Sequence, residues 1–143
     1  MKIKVAMLQA ESQDLKYGTE GAAAVDLRSS KSEVVLSPGE IRAIDTGLFI
    51  HIPEGYAGLV LPRSGQAKRG LAVANAPGLI DEDYRGEVKV LVQNLTAYDL
   101  DIDQGERIAQ LMFIPYVKAE FVVVDSLEET ERGTGGFGST GVS

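Results

Sequence analysis

Apolar residues along this chain come in short runs broken by turn formers, not in long stripes of period 3.6. IKVAML near the N-terminus, EVVL at 33–36, IRAIDTGLFIHI at 41–52, YAGLVL at 56–61, VKVLVQNL at 88–95, IAQLMFI at 108–114 and AEFVVV at 119–124 have the length and β-branched content of strands. Between them SPGE, PEGY, RSGQAKRG, NAPG, DEDYRGE and DQGE each carry the Gly, Pro, Asn or Asp that turns require. The pattern predicts an all-β domain, an antiparallel sandwich or jelly roll, with helix expected only for a turn or two around Ser64 to Arg69. Residues 1–125 read as that domain. Near Asp125 the chain turns acidic in VDSLEETERG and then glycine-rich, so 126–143 reads as a mobile C-terminal arm.

A length of 143 residues suits one domain with a real core and is short for two. A net charge of −7 argues against a nucleic-acid polymer as partner, because such surfaces concentrate Lys and Arg, but it allows a small anion in a local basic pocket. Cysteine is absent, which removes disulfides, a thiolate nucleophile and a cysteine zinc site. The lone His51, between Ile50 and Ile52, reads as an outward-facing strand residue and cannot build a histidine-rich metal site. MKIKVAML has no secretion signature, and no apolar run reaches the length of a membrane span. An intracellular, cytoplasmic location with no membrane partner is expected.

Several segments are chemically richer than a turn needs to be. LPRSG, Leu61 to Gly65, presents Arg63, the Ser64 hydroxyl and the Gly65 amide together. A planar guanidinium suits phosphate and glycine lets backbone approach an anion, although Pro-Arg-Ser-Gly also makes a plausible surface turn. In NAPGLIDEDYRGEV, Asn75 to Val88, Pro77 and Gly78 bend the chain, so backbone groups at Leu79 and Ile80 could face a small planar ligand. Asp81 then follows two apolar residues, as a carboxylate at a pocket edge suited to orienting a water, with Tyr84 close enough to wall the same pocket. The alternative is a hairpin with solvated acids. Gln110 is the polar residue inside an apolar run from Ile108 to Pro115, and a buried amide left unpaired costs about 1–3 kcal/mol, so core or ligand must satisfy it. Asp26, after four apolar residues in AAAVDLRSS, is a weaker signal.

The segment RGTGGFGSTG, Arg132 to Gly141, has five glycines in ten residues, which oppose ordering. Gly133 and Gly138 have phosphate-loop spacing, but Ser139 stands where that loop needs lysine, and the strand and helix that flank such a loop are missing from the pattern. Glycine amides, hydroxyls and a guanidinium are nonetheless groups that hold phosphate. A frayed polar end is the other reading.

Taken in order, AAAVDL, PRSG, NAPGLIDEDYRGEV, GERIAQLMF and RGTGGFGSTG resemble the five motifs of the trimeric deoxyuridine triphosphate nucleotidohydrolases, the dUTPases, from about Lys2 to Gly141. The resemblance implies a distorted β jelly roll of the β-clip kind that hydrolyses dUTP to dUMP and pyrophosphate with Mg²⁺, lowering dUTP and supplying dUMP for thymidylate synthesis. It implies that Asp81 activates the water that attacks the α-phosphorus and accepts a bond from the sugar 3′-hydroxyl. Asn75 and the backbone of Gly78, Leu79 and Ile80 would read the uracil edge, and Tyr84 would pack on the deoxyribose and exclude a 2′-hydroxyl, with Lys89 a further nucleotide contact. Arg63, Ser64, Gly65 and Gln110 would contact the phosphates. Mg²⁺ would be held mainly by phosphate oxygens and waters, with Asp26 acting through water or by orienting neighbours. Phe137 would stack on uracil, Arg132 would reach the γ-phosphate, and Gly138, Ser139 and Thr140 would complete the phosphate cage. Each site would be shared among three subunits, the arm coming from a subunit that does not supply the hairpin.

One departure stands out: the first motif of the family reads Ala-Gly-aromatic-Asp-Leu, whereas here Ala24 and Val25 fill the glycine and aromatic positions. Two rivals remain on the same scaffold, a dCTP deaminase and a non-catalytic nucleotide-binding regulator. The intact hairpin and arm motifs favour pyrophosphate release over both.

Overall fold

The computed structural model of the chain describes residues 1–8 and 10–143. Strands β1 Ala6–Met7, β2 Val25–Arg28, β3 Val34–Leu36, β4 Ile41–Leu48, β5 Ile50–His51 and β6 Tyr56–Leu61 are followed by the short helix α1, Ser64–Lys68. Then come β7 Leu71–Val73, β8 Gly78–Ile80, β9 Val88–Asn94, β10 Leu100–Ile102 and β11 Arg107–Pro115. All strand pairs are antiparallel. The two larger sheets run in the orders β2-β11-β6-β8 and β4-β9-β7, and two ribbons pair β1 with β5 and β3 with β10. The architecture is the all-antiparallel, jelly-roll-like one that the strand pattern predicts, and it fits the distorted jelly roll that the family resemblance implies.

Period-2 alternation decides which side chains go inside. Along β9, Val88, Val90, Val92 and Asn94 are buried and Lys89 and Leu91 are exposed. Leu27 from β2, Leu36 from β3, Ile44 and Leu48 from β4, Leu71 from β7, Ile102 from β10 and Leu111 from β11 join the β9 valines in one core. Both larger sheets and the β3–β10 ribbon therefore bury their apolar faces against a common centre. No helix among the described residues is long and apolar enough to cross a membrane.

The ladders are interrupted in two places. In β11 the register with β2 shifts between Arg107 and Ala109, so that Ile108 and Ala109 are both buried and Gln110 turns outward, opposite Asp26. In β4 the register with β9 shifts between Asp45 and Leu48, around Gly47 at φ 70°. Such bulges re-aim side chains.

Asn94 is a polar residue inside the core and has no exposed surface. Its Nδ2 donates to the carbonyls of Leu36 at 3.0 Å and Tyr98 at 2.7 Å, and its Oδ1 accepts from the Thr96 amide and hydroxyl. One side chain thus ties β3 and β9 to the loop that leads into β10.

The structure departs from the expected strands in two ways. β2, β7, β8 and β10 are strands of three or four residues, too short to stand out from their flanking turns. In the opposite sense, AEFVVV at 119–124 forms no strand: regular structure ends at Pro115, before the composition break at Asp125, and Phe121 and Val123 are 93% and 100% exposed. A strand needs a neighbour to accept its ladder of hydrogen bonds, and the fold of this chain presents none there.

Replacing Asn94 by Ala should cost at least about 2 kcal/mol, because the buried Leu36 carbonyl loses its donor and a void replaces the amide. Denaturant unfolding at fixed protein concentration measures it.

Candidate active site

The phosphate-suited residues gather where β6 and β11 run past β2. Chain leaving β6 at Leu61 passes Pro62 and Arg63 and enters α1 directly. Arg63 is half-buried; its Nε lies 2.9 Å from Asp26 Oδ1 and its Nη1 donates to the Arg107 carbonyl at 3.2 Å. Arg107 grips the other oxygen of the same carboxylate, with Nη1 3.3 Å from Asp26 Oδ2. Two guanidinium groups around one carboxylate leave a net positive charge, and Arg107 keeps half of its side chain in solvent. Ser64 and Gly65 are exposed, and their amides belong to the first helical turn, where no preceding carbonyl is placed to accept them.

Gln110 is half-buried, not enclosed by the core as its apolar flanks suggest, and its Nε2 donates to the Pro62 carbonyl at 2.9 Å. This bond fixes the turn that carries Arg63 against β11. Gln66, one helical turn into α1, is buried; its Nε2 donates to the Arg107 carbonyl at 2.8 Å and its Oε1 accepts from Arg69 Nε at 2.6 Å. Arg69 in turn pairs with Glu106. Sequence reading passed over Gln66 and Arg107, because what assigns them is a contact made across many residues.

The second group sits on the hairpin between β7 and β9. β8 is an outer strand of its sheet, so half of its backbone N–H and C=O groups face away from β6. Gly78 and Ile80 are buried while Leu79 is 63% exposed. The exposed Asn75 lies beside Gly78, where a Cβ would stand 3.4 Å from Asn75 Nδ2. Asp81 is exposed, on a cleft of about 430 Å³ lined by Leu79, Asp83, Ile114 and Lys118 among others. No ion pair among the described residues engages it.

Its neighbour Glu82 is differently held. One carboxylate oxygen accepts from the Tyr116 hydroxyl and from the Gly55 amide, joining the residue after Asp81 to the β5–β6 turn and to the point where the chain leaves β11. Tyr84, 45% exposed, donates from its hydroxyl to the Glu87 carbonyl at 2.9 Å. Lys89 is on β9 with its ammonium 3.0 Å from Asp45, a carboxylate also bound by Lys31 at 2.7 Å. Lys31 first and Lys89 second hold Asp45 below the usual carboxylate range, and Asp45 raises Lys89 in return.

The two groups are far apart within one chain. Ile80 pairs with Gly58 on β6, whereas Gln110 pairs with Leu61. Three residues of β6 amount to about 10 Å along the strand, and Asp26, three strands away from β8, is about 14 Å to the side.

The arm joins neither group. Arg132 Nε donates to the Gly135 carbonyl at 2.9 Å, and the amides of Gly133, Ser139 and Gly141 close turns onto Thr130, Gly136 and Gly138. Thr140 is exposed, and Phe137 is fully exposed at φ 51°, a conformation uncommon outside glycine.

The Glu82–Tyr116 clamp should show in the pH dependence of stability. Tyr116 first, then the Gly55 amide, lowers Glu82 from its ordinary 4.5, and Glu82 first, with burial next, pushes Tyr116 up to about 12 from 10.0. The depressed Glu82 stabilises the fold above pH 4.5 and loses that effect as pH falls through its lower folded value. The raised Tyr116 stabilises below pH 10 and loses the effect between 10 and about 12. Tyr116→Phe should therefore melt a few degrees below the parent at pH 7, with the gap closing toward both extremes in thermal scans across pH.

Known proteins resemble this chain in sequence and in fold. A deoxyuridine 5'-triphosphate nucleotidohydrolase from Hydrogenobaculum sp. (strain Y04AAS1) is 45% identical over 143 residues, covering 99% of each chain, and one from Nautilia profundicola is 48% identical over 142 residues, again covering 99% of each. Among solved structures, a Staphylococcus bacteriophage 80alpha dUTPase mutant with dUpNHpp superposes with a TM-score of 0.89 at 28% identity, covering 99% of this chain and all of that one. The family model described as dUTPase matches residues 10–141, and the chain belongs to the dUTPase family.

Proposed function

We propose that the chain hydrolyses dUTP to dUMP and pyrophosphate, with Asp81 as the general base. The observation that carries this reading is an exposed carboxylate, engaged by no ion pair among the described residues, just past the end of an outer strand, within a chain whose relatives are named for this reaction. Asp81 takes a proton from water as the water oxygen bonds to the α-phosphorus, and the bond from that phosphorus to the bridging oxygen breaks to release pyrophosphate. The outward backbone groups of Gly78, Leu79 and Ile80 form an amide edge complementary to uracil, aided by Asn75. Cytosine presents a donor where uracil has an acceptor and would leave buried groups unpaired. Tyr84 packs on the deoxyribose. Lys89, paired with Asp45, is a further contact to the nucleotide.

Arg63, Ser64, Gly65 and Gln110 hold the phosphate chain, with Arg107 and Asp26 fixing the angle of Arg63. Among the described residues no three His, Asp or Glu side chains converge on a metal position, and the oxygen donors present suit a hard cation that keeps phosphate and water ligands. When bound, Mg²⁺ neutralises phosphate charge.

The separation of Asp81 from the phosphate-binding group supports a homotrimer in which neighbouring copies complete each site. Further support comes from the apolar segment 119–124, exposed from Phe121 to Val124, and an open apolar groove of about 1030 Å³ beside β1 and β2, lined by Ile3, Val5, Leu15, Tyr17 and Phe113 among others. Segment and groove have matching character, and a copy's segment pairing beside another's groove buries both. The arm then delivers Phe137 to uracil and Arg132 to the γ-phosphate, with Gly138, Ser139 and Thr140 closing over the phosphates. Residues 126–143 act as this mobile lid on a body formed by residues 1–125.

Incubating the protein and Mg²⁺ with dUTP, dCTP, dTTP and UTP should release pyrophosphate chiefly from dUTP; ammonia from dCTP, or tight dUTP binding without turnover, would sink the reading. Asp81→Asn should bind nucleotide but turn over about 10²–10⁴-fold more slowly. Cutting the chain after Glu131 should leave a folded trimer by light scattering with little activity.

A further inference from the structure

Tyr84 is held at the hydroxyl end of its side chain, and the hold depends on its neighbours. The ring lies across Gly86 so closely that a Cβ there would stand 2.4 Å from Tyr84 Oη, 2.6 Å from Cζ and 2.9 Å from Cε2. No real Cβ approaches a ring at those distances, so the ring occupies space that only glycine leaves free. The hydroxyl donates to the Glu87 carbonyl at 2.9 Å, and Glu87 is itself fixed, its Oε1 accepting the Gly47 amide at 2.8 Å from the bulge in β4. The adjacent Val88 carbonyl accepts from the Thr46 hydroxyl in the same bulge. The hydroxyl end of the ring therefore rests on hairpin backbone that is tied to the second sheet, while Tyr84 remains 45% exposed.

We infer that Gly86 and the Glu87 carbonyl are specificity-determining positions that act through Tyr84, fixing where its ring sits on the hairpin so that its exposed side fits a 2′-deoxyribose and leaves no room for a 2′-hydroxyl. The inference rests on the reading that Tyr84 meets the sugar. A phenol on a loop tip normally loses rotamer freedom when it binds. Here that loss is already incurred on folding, so the plate meets the sugar without rearranging, which is where discrimination by a single hydroxyl is strongest. A methyl at position 86 would displace the ring from that place. The deoxy sugar, which fits the ring as it lies, would lose the most.

The test compares kcat/KM for dUTP and UTP in Gly86→Ala, Tyr84→Phe, Tyr84→Ala and the Gly86→Ala/Tyr84→Ala double variant. Gly86→Ala should lower the dUTP-to-UTP ratio on the order of tenfold with little change in Tm, since the added methyl meets the far end of a side chain and not backbone. Tyr84→Phe, which keeps the ring and loses the tie to Glu87, should lower the ratio by a smaller factor. In the Tyr84→Ala background, Gly86→Ala should change the ratio less than about twofold, as coupled positions do; a purely structural glycine would give the same loss in both backgrounds. A Gly86→Ala ratio equal to the parent's, with Tyr84→Ala lowering it, overturns the role of Gly86. An unchanged ratio in Tyr84→Ala overturns the reading of Tyr84 beneath it.

Discussion

β11 is hydrogen-bonded to β2 along one edge and to β6 along the other, and this double pairing determines where the chemistry sits. Because the strand is locked on both sides, the extra residue at its start cannot be absorbed by sliding, and it appears as a bulge that buries Ile108 with Ala109. From that bulge onward the outward positions of β11 are fixed. Gln110 comes level with Asp26 on one neighbour and with Leu61 on the other, just before the turn that carries Arg63. The Arg107 carbonyl, freed at the bulge, accepts from both Arg63 and Gln66. A single register error in this strand would therefore disperse the residues suited to phosphate.

The same sheet keeps the hairpin acid away from that cluster. β8 adds to the far edge of β6 and points Asp81 toward the Tyr56 end, while the arginines lie past the Leu61 end. Strands do not fold back on themselves over such a short length, so no side-chain rotation closes the gap. The sheet instead keeps the two groups apart, and among the described residues neither the outer edge of β8 nor the exposed apolar segment after Pro115 is paired. An edge strand left open is ordinarily an aggregation hazard. Here the hazard is confined by acids and turns: Asp81, Glu82 and Asp83 follow β8 directly.

Much of this was legible in the residues. β3, β4, β6, β9 and β11 lie where alternation or apolar runs place them, and Ser64 to Lys68 is helical as expected. β7, β8 and β10 were hidden because three residues carry almost no period. AEFVVV misled for the opposite reason: β-branched residues state a preference for strand, yet preference needs a partner, and partners are a property of the whole fold. For the site, the motif residues were readable as types but not as contacts. Nothing local to Glu82 announces Tyr116, which is 34 positions away, and nothing local to Asp26 announces Arg107. Gln66 offered a faint signal, as a polar residue following a glycine turn in a short helix that turns out to bury it. The composition break at Asp125 was real in the sequence, but it lies after the last strand because composition responds to solubility and the sheet ends where pairing ends.

The exposed apolar segment also has a place in time. It follows every strand of the body in chain order, so as the chain emerges during synthesis the strands come free to pair ahead of Phe121 to Val124, which would compete for the same valines and leucines. A segment of that composition placed ahead of the body would be present throughout collapse, free to pair with β8 or to enter the core in the wrong register. Coming after the strands, it meets them already paired.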